Sequence, residues 1–231
     1  YEALLLPGGH RAAGMRAYLE DPSLQAIVAR FFDDEKPVGA VCHGVVLAAR
    51  SISARTGKSV LYGRRTTALT WQLEKAGWTM GRLMRFWDPN YYRTYVEAPG
   101  QSPGYTGVQA EVTRALASPE DFISVPLDAP DFRRKTDGTH RDTPADPRPA
   151  WVVRDGSYVS ARWPGDAHLF ATTFAQVLAR SGVSGAPAAQ SAPRIEWSPA
   201  KPAPSVRRGL PSAPRRHDSD LLHHQHDRLP R

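Results

Sequence analysis

Hydrophobic and polar positions along the chain alternate between two periods. Tyr1–Leu6 is a short apolar run that stops at Pro7-Gly8-Gly9, which reads as a strand ending in a turn. From Pro22 to Glu35, Leu24, Ile27, Val28 and Phe31 recur at i, i+3, i+4 and i+7. That spacing predicts an amphipathic helix, with Asp21 as its N-cap and Pro22 in its first turn. Pro37 ends it, and Val38–Val41 reads as the next strand. A helix-compatible stretch follows at once, from about Gly44 to Ser53. Lys58–Tyr62 and Arg65–Leu69 are expected as short strands around Gly63, and Trp71–Gly77 as a helix. Glu120–Val125 is expected as another strand and Asp128–Ala150 as an exposed loop. Trp151–Val153 and Ser157–Ser160 flank Asp155-Gly156, a strong hairpin signal. Asp166–Ala179 closes the pattern as a helix carrying Leu169, Phe170, Phe174 and Leu178 along one face. Strands alternating with helices imply a mostly parallel sheet covered on both faces.

From Ser181 the period disappears and Pro, Ser, Ala and Arg dominate, so residues 181–231 are expected to form a disordered tail. The 231 residues then make one domain, 1–180, plus that tail. The net charge of +7 is uneven: from Ser181 onward eight Lys and Arg stand against four Asp and Glu. The body carries no basic stripe interleaved with aromatic residues, so no nucleic-acid partner is expected. No apolar run reaches the roughly 18 residues of a membrane span, and none reads as a signal peptide, so no membrane partner is expected. One cysteine, Cys42, excludes an internal disulfide and suits a reducing, cytoplasmic setting. His217, His223, His224 and His226 in the tail have no defined geometry and are read as unstructured, so no metal or cofactor is expected.

The candidate chemistry lies at Val38-Gly39-Ala40-Val41-Cys42-His43-Gly44. Strand, sharp turn and helix place a thiol at the tip of a strand and at the positive end of a helix. Free N–H groups there favour thiolate over thiol and lower a cysteine's pKa. The alternative is a buried structural cysteine, the common fate of free thiols. The aromatic segment Met84–Gly107 reads as an irregular insertion packed on the core rather than as a cover over a site.

The strand ending in Pro-Gly-Gly, followed by a helix and Ala40-Val41-Cys42-His43-Gly44, resembles the ThiJ/PfpI family of the class I glutamine amidotransferase-like superfamily. Asp155 to Gly165 is similar to its late hairpin and the turn into its final helix. The resemblance, over residues 1–180, implies a flavodoxin-like three-layer α/β sandwich, lacking its first strand and helix. It implies Cys42 as nucleophile, His43 as its partner, and the Gly9 and His43 amides as an oxyanion hole. His10, Glu74 and Trp71 are candidate lining residues: Trp71 stands where relatives have an orienting Asp, and Glu74 lies one turn further on. An acid that relatives carry ahead of Pro-Gly-Gly has no counterpart in the chain. Trp163-Pro164-Gly165 replaces a His-Pro-Glu, which rules out glutamine hydrolysis. The implied function is a cysteine-dependent hydrolase, glyoxalase or deglycase acting on a small carbonyl or acyl substrate, as a homodimer. A redox-sensing or holding-chaperone stress protein, or an inactive fragment, is the alternative.

Overall fold

A computed structural model describes residues 1–9 and 11–182. Four strands form its sheet: β1 (Leu4–Leu6), β2 (Val38–Val41), β3 (Val152–Asp155) and β4 (Tyr158–Ala161), in the order β1-β2-β4-β3. β1 and β4 both run parallel to β2, with Leu4 opposite Val38 and Val38 opposite Tyr158. Only β3 is antiparallel, joined to β4 by the Asp155-Gly156 turn read from the sequence. This is the expected mostly parallel α/β sheet.

The helices are α1 (Arg16–Glu20), α2 (Pro22–Asp33), α3 (His43–Arg50), α4 (Trp71–Met84), α5 (Val108–Ala115), α6 (Phe132–Thr136) and α7 (Ala167–Arg180). Period-2 alternation sorts the β2 side chains onto two faces. Val38 and Ala40 join a core with Val28 and Phe32 of α2, Val45–Ala49 of α3 and Val112 of α5. Val41, with Val159 and Ala161 of β4, packs instead against Phe170, Phe174 and Val177 of α7. Hence α7 covers one face and α1, α2, α3 and α5 the other, three layers in all. The Asp21 carboxylate caps α2, accepting from the Ser23 and Leu24 amides at 2.8 and 3.1 Å.

Four expectations give way. Lys58–Tyr62, Arg65–Leu69 and Glu120–Val125 are not strands; they hold isolated bridges, Ile52 with Ser59 and Thr66 with Phe122. Both edges of β4 are already taken by β2 and β3, so residues 66–67 meet it through side chains. The Thr66 hydroxyl lies 3.0 Å from the Tyr158 hydroxyl, and the Thr67 amide donates to Ser160 Oγ at 2.9 Å. The expected exposed loop at 128–150 contains α6 and the buried Asp142. Asp142 accepts the His168 and Leu169 amides at the start of α7, at 3.2 and 2.7 Å.

Among the described residues, no helix is long and apolar enough to cross a membrane. His10 and the tail histidines, with the disorder expected from residue 183 on, lie outside the described residues.

Candidate active site

Three elements converge where β1 and β2 end. Cys42 follows β2 and precedes α3 with φ +58° and ψ −119°, a conformation that side chains rarely adopt. Such a residue costs on the order of 1–3 kcal/mol and persists because its surroundings hold it. Here the Cys42 amide continues the ladder by donating to the Ala161 carbonyl at 3.0 Å, and its own carbonyl accepts from the Val45 amide at 3.1 Å. Two glycines let the chain close around it. A Cβ on Gly44 would sit 2.1 Å from the Leu6 carbonyl oxygen, and one on Gly8 would sit 2.8 Å from Cys42 Cβ. The Pro-Gly-Gly turn and the elbow are therefore pressed together with no room for a methyl group.

Cys42 Sγ lies 3.3 Å from His43 Nδ1, and the His43 backbone N–H also donates to the sulfur. Both residues are buried, and His43 Nε2 has no hydrogen-bond partner among the described residues. Burial pushes the Cys42 thiol up to about 12; the His43 N–H opposes this, and the carboxylates of Glu74 and Asp166 add to it. Burial also pulls His43 down to about 4. The resting pair is neutral thiol and neutral imidazole, not the thiolate expected from the helix end. Desolvation outweighs the helix terminus because the elbow is packed on every side but one.

That open side is a cavity of about 530 Å³. Gly8, Gly9, Cys42 and His43 line its floor. Leu73, Glu74, Gly77 and Met80, one face of α4, form a wall. Tyr92, the Asp137–Thr139 turn and Trp163-Pro164 complete it. Glu74 is thus brought to the same cavity as the Cys-His pair. Its Oε2 accepts the Val108 amide at 2.9 Å, and its Oε1 lies 3.4 Å from Arg93 Nε, with both side chains buried. Burial raises its carboxyl to about 7 against the pull of the Val108 amide and Arg93.

Trp71 does not line the cavity. Its ring packs under the Arg93 guanidinium, 4.9 Å from ring centre, with Trp78 at 5.0 Å on the same cation. Arg93, which the sequence reading missed, also donates to Glu97 at 2.5 Å and Thr106 at 3.0 Å.

The Trp163-Pro164 edge is tied down by a buried ion pair, Arg162 with Asp166. Asp166 Oδ2 accepts both the Arg162 amide and Nε at 3.0 Å, and Oδ1 accepts Nη2 at 2.7 Å and the Trp151 amide at 3.1 Å. Arg162 spends its remaining donors on the Pro149 and Lys135 carbonyls. Burial raises Asp166 against the pull of Arg162. The Asp137 turn is held otherwise: burial works to raise its carboxyl, but the Thr139 and His140 amides and the His140 ring hold it down at about 2. The sequence signal for these parts was thin. Leu73, Gly77 and Met80 recur at i, i+4 and i+7, a signal that the expected helix Trp71–Gly77 stopped short of; Asp137–Thr139 carries none.

With strand tip, buried thiol, adjacent histidine and facing Pro-Gly-Gly in place, residues 1–78 match the DJ-1/PfpI family. Over that stretch the chain is of the DJ-1/PfpI type. No curated protein matches it. Solved structures do. The protein APC35852 is 18% identical with a TM-score of 0.50, covering 78% of this chain and 60% of its own. The Rapid Encystment Protein of Francisella tularensis is 15% identical with a TM-score of 0.48, over 77% and 58%. Glyoxalase III from Candida albicans is 18% identical with a TM-score of 0.45, over 77% and 57%. The chain therefore spans about 60% of the length of these structures. At this identity the likeness to APC35852 concerns the flavodoxin-like fold alone.

Proposed function

We propose that this DJ-1/PfpI-type chain is an enzyme in which Cys42 attacks a small carbonyl or acyl group. The observation that carries this reading is the strained, positive-φ elbow that aims Cys42 Sγ at a cavity with His43 Nδ1 3.3 Å away. Strain of that kind is kept where a side chain must be presented. Because both groups rest neutral, attack and proton transfer go together. As the S–C bond forms, the thiol proton passes to His43 Nδ1 and the carbonyl π pair moves onto oxygen. The Gly9 and His43 amides at the cavity floor are the donors for that oxyanion. An aldehyde stops at a thiohemiacetal when the imidazolium returns its proton to the oxygen. An ester expels its alcohol, which takes the proton, and water then hydrolyses the thioester and restores the thiol. Glu74, near half-ionised at neutral pH, is placed on the same cavity to exchange protons with substrate.

Burial of the sulfur and its raised pKa weigh against the redox-sensor reading, since oxidation favours exposed, low-pKa thiols. The homodimer is part of the proposal: Leu83, Met84, Phe86 and Trp87 stand exposed in succession at the end of α4, an apolar surface suited to a second copy. Cys42→Ser, assayed with model esters, tests the enzyme reading. Turnover should drop at least a hundredfold; equal turnover by variant and parent would rule out the nucleophile.

A further inference from the structure

The chemistry of the cavity walls narrows what Cys42 meets, given the reading of Cys42 as nucleophile. At about 530 Å³ the space lies within the usual range of roughly 300–1,000 Å³ for pockets that enclose drug-sized ligands. It is far larger than a three-carbon dicarbonyl needs. Away from the Cys-His floor its surfaces are the side chains of Leu69, Leu73 and Met80 and the rings of Tyr92 and Trp163. Its charged groups are carboxylates, Glu74 on α4 and Asp137 at the turn beyond α6. Among the described residues, no Lys or Arg lines it. Arg93 sits behind Glu74, engaged with Glu74, Glu97 and two indole rings. A bound anion would lie against two carboxylates, with the nearby Arg93 already committed to Glu74 and Glu97. A neutral carbonyl compound would bury its apolar part on the walls and leave its oxygen to the amides at the floor.

We propose that this cavity takes an uncharged carbonyl or acyl compound bearing an apolar body well beyond three carbons, and turns away carboxylate and phosphate substrates. Gly77 marks the space that body fills. It lies on the cavity face of α4, and a Cβ there meets nothing closer than Tyr92 Cγ at 3.9 Å.

Binding to the full chain carrying Cys42→Ser separates this inference from the chemistry. Calorimetric titration at pH 8, where Glu74 is largely ionised, compares 4-phenylbutan-2-one, 4-phenylbutanoate and acetone. The aromatic ketone should bind at least tenfold tighter than either of the others. Equal or tighter binding of the acid, equal binding of acetone, or no binding of the aromatic ketone would each overturn the inference. Gly77→Leu should weaken the ketone at least tenfold with no loss of melting temperature. Should that variant melt early, Glu74→Gln gives the second reading: the acid should gain affinity severalfold relative to the ketone. An unmoved acid affinity there would overturn the charge argument. If the parent turns nothing over while this binding order holds, the nucleophile reading falls and the cavity inference stands. If Cys42-dependent turnover is found with the binding order reversed, the cavity inference alone falls.

Discussion

Removing the Glu74 charge should expose a pH dependence of stability that the parent hides. His43 is buried neutral with its pKa lowered from 6.5 to about 4. A lowered folded-state pKa contributes stability that is present above the unfolded value and is lost as pH falls toward the folded one. For His43 the loss begins near pH 6.5. Glu74 has the opposite sign: its pKa is raised from 4.5 to about 7, so its contribution is present below 4.5 and is lost as pH rises toward 7. Both side chains are buried, at 3% and 4% exposure, so solvent screening discounts neither. Each group changes stability by about 1.4 kcal/mol per pH unit, in opposite directions, across the overlap. Between pH 4.5 and 6.5 the two slopes cancel and the parent should be nearly flat. In Glu74→Gln the His43 slope is opposed only by the raised Asp166 carboxyl, and unfolding free energy should fall by up to about 3 kcal/mol from pH 6.5 to 4.5. Gln keeps an acceptor for the Val108 amide, so the absolute loss from weakening the Arg93 pair shifts the curve without changing its slope. Urea unfolding at half-unit pH steps reads this directly. A flat profile in Glu74→Gln would refute the buried neutral imidazole. An equally steep fall in the parent would refute the raised carboxyl.

Three further outcomes test the elbow and its packing. Gly44→Ala forces a methyl group to within 2.1 Å of the Leu6 carbonyl oxygen, and a thermal melt should show about 3 kcal/mol of destabilisation, with parent-like stability contradicting the contact. Ala and Gly at position 42 should reverse their usual order, Cys42→Gly unfolding at higher urea than Cys42→Ala by about 1 kcal/mol, because glycine takes φ +58° without strain. Alkylation of Cys42 by iodoacetamide should be slow at pH 7 and still climbing about tenfold per unit at pH 10, since the thiol is raised to about 12; a plateau below pH 8.5 would contradict that burial.

The parts of the fold that sequence made legible are those with local causes. Asp21 and Pro22 announce α2 within four residues, and Asp155-Gly156 announces the hairpin, because caps and tight turns are written in neighbouring positions. Cys42-His43-Gly44 was legible for the same reason, as an apolar strand running into a turn and a helix. What escaped depends on distant partners. Residues 65–69 have strand composition, but whether they extend the sheet depends on β3 having already occupied the free edge of β4. Asp137–Thr139 reaches the cavity because Arg162, Asp166 and Lys135 tie that stretch back, across 27 residues in one case. Trp71 was named because it stands where relatives have an orienting Asp, and Glu74 because it lies one turn further on; Glu74 lies on the cavity, whereas Trp71 packs on Arg93. The thiol shows the limit most plainly: the helix terminus that favours thiolate is visible in sequence, while the packing that raises the pKa is not.

Acyl transfer to Cys42 is the direct test of the nucleophile. The full chain is mixed with p-nitrophenyl butanoate at pH 8, quenched in acid within the first turnover, digested and examined by mass spectrometry. A butanoyl thioester on the peptide containing Cys42, absent from His43→Ala at the same time point, is the expected result. Acyl groups confined to lysine or tyrosine side chains, with Cys42 unmodified while p-nitrophenol is released, would contradict it.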